Sequence, residues 1–234
     1  ALKEQNIINQ ASLIIGVSNN LVAALIKRFE IKCPTEVIYN GFDPDTPLLE
    51  KKSIVKKYIV HSGALYGGKR SCDEFLEYYQ KELSDEFDLK LAIFNQEDLV
   101  YLKGLKAKYK LLNLEIKENL TYAESLELIF NSEFALLVLS KDGIDKEYLP
   151  VKMFEYIKFA KPIIFCGNKN RSEAYELINA NNVGDLYNEF NFESSYKYNF
   201  DQSQLTLTLI LKVSFCLNQI CHIIKLYRHF LILN

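Results

Sequence analysis

These 234 residues lack most of the features that would direct a first reading. There is no excess of charge of one sign: 28 Lys and Arg face 30 Asp and Glu, a net charge of −2. No basic stripe alternates with aromatics, so a nucleic-acid partner is not expected. The five cysteines, Cys33, Cys72, Cys166, Cys216 and Cys221, form no Cys-x-x-Cys pair and are odd in number. That argues against a zinc site and against a disulfide framework. No secretory signal opens the chain, so a reducing cytoplasm is the expected compartment. His61, His222 and His229 share no metal-like spacing, and Ser18 and Ser62 have no evident His–Asp partners for a hydrolase triad. The sequence also has no GxGxxG motif, no Walker A loop and no internal repeat.

No run of about 20 apolar residues is present to span a bilayer. The stretch from Leu205 to Leu233 comes nearest, but Lys212, Asn218, His222, Lys225 and Arg228 interrupt it. Its expected form is a helix packed on its own domain or on a further one. The alternative is peripheral contact with the inner face of the cell membrane.

What is present is ordinary core material, 49% hydrophobic and 25% charged, arranged in a β-then-α rhythm. Strands are expected at Leu13–Val17, Glu36–Tyr39, Tyr58–Ser62, Leu89–Phe94, Leu114–Lys117, Phe134–Leu139, Pro162–Cys166 and Val183–Leu186. Several are short continuous apolar runs, the pattern of strands covered on both faces. Helices are expected at Asn19–Phe29, Ser71–Leu83, Tyr122–Phe130, Val151–Phe159 and Ser172–Ala180. Thr121 and Glu124 form a capping box for the third of these. The alternation predicts an α/β fold, a doubly wound, mostly parallel sheet.

Two stretches carry the chemistry. The first, His61-Ser-Gly-Ala-Leu-Tyr-Gly-Gly-Lys-Arg70, lies between a strand and a helix. Gly63, Gly67 and Gly68 let a backbone approach a ligand closely. Lys69, Arg70 and the N–H groups of the next helix suit a diphosphate. Taken alone, the stretch fits a structural turn equally well. The second, Glu147-Tyr-Leu-Pro-Val-Lys-Met-Phe-Glu155, places two glutamates eight positions apart. Pro150 suits a first helical turn, so Glu147 lies before the helix and Glu155 inside it. A carboxylate there can accept both hydroxyls of a ribose. Lys152 shares a helix face with Glu155, within reach of a diphosphate or of an ion pair with Glu155.

Glu-x7-Glu followed by Lys161-Pro-Ile-Ile resembles the signature of the family-four retaining glycosyltransferases of GT-B fold. Pro150-x-Lys152-x-x-Glu155-Tyr is similar to a variant seen in many bacterial members. Gly63-Ala-Leu-Tyr-Gly-Gly-Lys-Arg resembles the first loop of the family's C-terminal domain. Val17-Ser18 and Val37-Ile-Tyr-Asn-Gly-Phe-Asp43 resemble the end of its N-terminal domain and the crossover. The resemblance runs from about residue 4 to 190.

It implies a division into 1–44, the end of the N-terminal acceptor domain and linker; 45–200, a Rossmann-like nucleotide-sugar domain; and 201–234, a helical tail. It also implies roles. Glu155 binds the ribose, and Lys69, helped by Arg70 and Lys152, binds the diphosphate and stabilises the leaving nucleotide. Gly63 allows close approach. Glu147 faces the donor sugar, with Asp142–Gly143 nearby. The base sits at Lys117–Thr121. Catalytic roles fall on Glu147 and Lys69. No metal is expected, because Asp43-Pro-Asp45 reads as a turn, and no cofactor is expected beyond the donor substrate, a UDP-sugar on general grounds. The acceptor is expected to be a glycan or a lipid-linked glycan of bacterial surface polysaccharide synthesis.

The sequence departs from the family at Ala92-Ile-Phe-Asn-Gln, which lacks the usual Gly-x-Gly, and at Lys141–Lys146, which lacks a glycine-rich sugar loop. The chain opens at Ala1 in a helical pattern, and about 150 upstream residues of an acceptor domain are expected beyond it. A sugar-nucleotide epimerase and a non-catalytic nucleotide-sugar-binding module remain alternatives.

Overall fold

The computed structural model describes residues 2–41 and 49–193. These fall in two compact units, the first within 1–41 and the second within 42–198. The expected boundary at 44/45, the Asp43/Asp45 turn and the tail 201–234 lie outside the described residues.

In the first unit, helix α1 (Leu2–Gln10) leads to strand β1 (Ile14–Gly16), helix α2 (Asn19–Arg28) and strand β2 (Thr35–Val37). The two strands pair in parallel, with Ile15 opposite Glu36. Ser18 stops the first strand and starts the helix, its Oγ accepting the N–H of Leu21 at 3.0 Å. Buried Val22 packs so closely on Gly16 that a Cβ there would stand 2.4 Å from a Val22 methyl.

The second unit contains β3 (Tyr58–Ser62), α3 (Asp73–Tyr78, continued by a π turn over Tyr79–Leu83), β4 (Asp88–Ile93), α4 (Gln96–Lys108) and β5 (Leu114–Glu118). It continues with α5 (Tyr122–Phe130), β6 (Phe134–Val138), α6 (Val151–Lys158), β7 (Ile163–Cys166), α7 (Glu173–Ala180) and β8 (Gly184–Leu186). All six strands are parallel, in the order β5-β4-β3-β6-β7-β8. Every residue of β3, β6 and β7 is buried, which is why those segments are apolar without alternation.

One core lies between the sheet and α3 and α4, where Phe75, Leu76, Leu99 and Leu102 pack on Ile59, Leu91, Leu136 and Ile164. Residues of opposite parity in the strands face the other layer. There the Tyr58 hydroxyl donates to the Leu128 carbonyl of α5 at 2.7 Å.

All eight expected strands form, within one or two residues of their bounds. The capping box forms as expected: Thr121 Oγ1 accepts from the Glu124 N–H, and the Thr121 N–H donates to the Glu124 carboxylate at 2.7 Å. Helix α4 is an addition to the expected elements. Its buried stripe of Leu99, Leu102 and Leu105 is interrupted by exposed Val100 and by Gly104, a poor helix former.

Candidate functional site

From β3 the chain crosses to β4 on one side, and from β6 it crosses to β7 on the other. The loops leaving β3 and β6 therefore diverge at their carboxyl ends. That topological switch is where open parallel sheets hold their ligands. A cavity of about 590 Å³ opens there. It is lined from the first loop by Ser62, Gly63, Ala64, Tyr66, Lys69 and Arg70. The second loop contributes Ser140, Asp145 and the run from Tyr148 to Lys152.

The first loop turns sharply. Gly63 has φ +129°, and a Cβ added there would stand 2.9 Å from Nζ of Lys152. Gly68, at φ +93°, lies so close to the Tyr101 ring that a Cβ would meet it at 2.7 Å. A side chain would be strained at either place, by the positive φ at both and by the Tyr101 ring at Gly68. Lys69 follows, exposed at the cavity rim.

At the N-terminus of α3, expected to offer free N–H groups to a phosphate, two donors are already engaged. The N–H of Cys72 donates to the Tyr101 hydroxyl at 3.3 Å, and that of Asp73 to Ser71 Oγ at 3.2 Å. Asp73 and Glu74 also put two acids in its first turn, the wrong sign for an anion site. The helix that opens on the cavity is instead α6. Pro150 caps it, and its first residues Val151 and Lys152 line the wall.

The two loops are tied together by an ion pair. Arg70 Nε and Nη2 donate to the two carboxylate oxygens of Asp145 at 2.8 and 2.9 Å. Their side chains are only 13% and 12% exposed, so the pair is largely shielded from water. Asp145 also accepts the Ser140 N–H at 2.9 Å. Burial pushes its carboxyl up, but these bonds outweigh burial and hold it below the ordinary range. Much of the Arg70 charge is therefore neutralised by protein.

Lys152 Nζ lies 3.4 Å from Nε2 of His61, which is fully buried at the end of β3. His61 Nδ1 is 3.0 Å from the Leu136 carbonyl. A neutral ring with its proton on Nδ1 leaves Nε2 to accept from the lysine, with the Gly63 carbonyl also 3.2 Å from Nε2. Burial, then the Lys152 charge, hold the His61 pKa well below its ordinary value. Burial, then the Arg70 charge, bring that of Lys152 down to about 7, against opposing pulls from Asp145, Asp98 and Glu155.

One turn further along α6, half-buried Glu155 is hydrogen-bonded to the Tyr122 side chain at the start of α5. Burial raises its pKa, and the Tyr122 bond, Lys152 and Lys158 pull the other way.

Of the residues expected at the site, Gly63, Lys69, Arg70 and Lys152 share the cavity. Glu155 is on the same helix as Lys152 but outside the lining, and Glu147 ends the short 3-10 turn Ile144–Glu147 just before it. Lys117 is not brought there. It lies on outer strand β5, ion-paired with Glu115 two residues away on the same strand face, and lines a separate hollow with Lys52, Lys90 and Glu124. Asp145, Tyr122 and Asp98 were not singled out by sequence reasoning. For Asp98 a signal existed, an Asn-x-x-Asp start to α4. Among the described residues, no three His, Cys, Asp or Glu side chains cluster as a metal site requires.

No protein-family model matches the sequence, and no curated protein matches it. The fold does have solved counterparts. A Staphylococcus aureus TarM mutant in complex with fondaparinux, alpha-GlcNAc-glycerol and UDP aligns at TM-score 0.57 and 13% identity, over 80% of this chain and 36% of that one. A glycosyltransferase from Rickettsia africae aligns at TM-score 0.57 and 16% identity, over 80% and 52%. Anabaena HepE, in complex with UDP and glucose, aligns at TM-score 0.51 and 17% identity, over 76% and 55%. The chain spans from about a third to about half the length of these structures. Its six-stranded parallel unit has the α/β fold of the Rossmann-like domains of GT-B glycosyltransferases.

Proposed function

We propose that this chain carries the nucleotide-sugar-binding, C-terminal domain of a family-four GT-B glycosyltransferase. The observation that carries the reading is the meeting of Gly63, Lys69, Arg70 and Lys152 around one cavity at the β3/β6 switch. Those residues come from two motifs about 80 positions apart, and a diphosphate is the ligand that both suit. UDP in two of the solved counterparts makes a UDP-sugar the preferred donor.

Cleaving the sugar–phosphate bond gathers negative charge on the departing diphosphate. Lys69 supplies a cation set in advance for it, and Lys152 a second one as the diphosphate draws a proton to its amine, without a cofactor and without a metal. Arg70 contributes mainly by tying the two loops together through Asp145. Glu155, held by Tyr122, binds the ribose hydroxyls, and Glu147 faces the donor sugar. The larger protein then transfers the sugar, with retention, to a glycan or lipid-linked acceptor in surface polysaccharide synthesis. The proposed setting is the cytoplasm, with peripheral contact at the inner face of the membrane as the alternative to a tail packed on protein. No described helix is long and apolar enough to cross a membrane.

Calorimetric titration with UDP, GDP and dTDP tests the reading. Micromolar binding of one nucleotide, lost in Glu155→Ala and Lys69→Ala, is the expected result. A folded sample that binds none of the three rejects it.

A further inference from the structure

The turn that bears Lys69 is closed by its own backbone bonds, from the Gly68 and Arg70 N–H groups to the Leu65 carbonyl at 3.2 and 3.0 Å and from the Lys69 N–H to the Tyr66 carbonyl at 3.2 Å, and by a further group from outside it. Tyr66, a non-glycine residue, sits at φ +53°, next to Gly67 at +62° and Gly68 at +93°. A side chain in the left-handed region persists only where its surroundings enforce it. The Arg70 guanidinium lies over the Tyr66 ring at 4.8 Å, and the group that holds the turn from outside is Asp98, on the first turn of α4 and 0% exposed. Its Oδ2 accepts the Leu65 N–H and its Oδ1 the Gly67 N–H, both at 2.7 Å. Asn95 steadies the carboxylate from the other side: Nδ2 donates to Oδ2 at 2.8 Å, and Oδ1 accepts the Asp98 N–H at 2.8 Å. The positive end of α4 favours an anion at this place. One turn on, the Tyr101 ring underlies Gly68, and its hydroxyl takes the Cys72 N–H.

We infer that Asp98 is a positioning residue, whose buried carboxylate clamps the Leu65–Gly67 backbone and thereby fixes where Gly63 and Lys69 stand at the cavity. The clamp occupies the turn after β4 where the sequence lacks the Gly-x-Gly of the family it resembles. There Phe94-Asn-Gln-Glu-Asp98 supplies a cap and a carboxylate instead of two glycines. A buried carboxylate bonded to two backbone N–H groups also opposes slippage of the loop, because any shift leaves a charge without its donors. The consequence for donor binding rests on the function proposed above; the clamp itself rests on the geometry alone.

The test is Asp98→Asn, which conserves volume but turns an N–H₂ toward backbone donors. Amide exchange by NMR and calorimetric titration with the nucleotide that binds the wild type give separate readouts. The expected result is loss of protection and of the downfield shifts at the Leu65 and Gly67 amides, with β3 and β6 amides unchanged. Nucleotide affinity is expected to fall about tenfold, the scale of the charge-assisted bond that a displaced Lys69 no longer makes to the ligand. Unchanged protection at Leu65 and Gly67 overturns the clamp. Lost protection with unchanged affinity overturns its role at the site. If Asp98→Asn does not fold, native-state exchange in the wild type decides. Leu65 and Gly67 amides as slow as those of β3 uphold the clamp, and free-chain rates overturn it. A wild type that binds no nucleotide, yet loses protection in Asp98→Asn, rejects the proposed donor site and leaves the clamp upheld.

Discussion

Nζ of Lys152 and Nε2 of His61, 3.4 Å apart, place the amine of a half-buried lysine against an imidazole that is held neutral, with Gly63 packed close to that amine. The imidazole stays neutral there, and the amine, with its pKa brought down to about 7, holds its proton only weakly. A diphosphate in the cavity would change that by bringing negative charge to the amine.

Nucleotide affinity is accordingly expected to fall as pH rises above about 7, where the free protein has lost the Lys152 proton and binding must take one up. Calorimetry in buffers of different ionisation enthalpy reads that uptake directly. Uptake in the wild type at pH 8 and none in Lys152→Met is the expected pattern. Equal uptake in both would move the proton elsewhere.

The same residue costs stability while the cavity is empty. Its pKa is about 7 folded against 10.5 unfolded, so the folded state binds fewer protons between those values. The penalty of burying the charge is then full below about pH 7 and fades as pH rises toward 10.5. Lys152→Met is expected to melt higher than the wild type at pH 6, with the gap closing by pH 10. A lower melting temperature at pH 6 would show that the amine is not desolvated as described.

Arg70 and Asp145 form a shielded, two-pronged pair joining the loops after β3 and β6. Asp145→Ala leaves the guanidinium without that carboxylate and is expected to cost about 3 kcal/mol in urea unfolding. The double replacement Arg70→Met with Asp145→Leu should recover most of it, since no charge is then left alone. A loss below about 1 kcal/mol in Asp145→Ala would mean that the pair behaves as a surface ion pair.

Gly63→Ala separates the site from the fold. The atom that a new Cβ would meet is the far end of a flexible lysine, so the chain should fold with a cost of about 1–2 kcal/mol from the positive φ. Displacing Lys152 Nζ should nevertheless cut nucleotide affinity by at least the tenfold expected for a charge-assisted bond. Titration beside thermal melting checks both halves, and unchanged affinity would remove Lys152 from the site.

The strands were readable because each satisfies its environment locally. Tyr58-Ile-Val-His-Ser is buried at all five positions, and such a run has few other uses. The Thr121–Glu124 cap was readable for the same reason, since its partners are three residues apart. Helix α4 was not, because Val100 faces solvent and Gly104 weakens the helical pattern around a stripe that only its packing defines. Lys117, expected near the base, lies on a strand two places from β3 and is ion-paired with Glu115, a placement that local sequence does not report.

Local sequence was enough for the alternation of strands and helices, the glycine-rich turn of the first loop and the cluster of cations beside it. Each depends on residues within a few positions of one another. Tertiary structure decided what those cations are free to do. Arg70 meets its carboxylate 75 positions away, and Lys152 meets its imidazole 91 positions away. Both meetings exist only because the sheet places β3 beside β6. Charge and burial act through space, and spacing along the chain carries no record of which distant strands become neighbours.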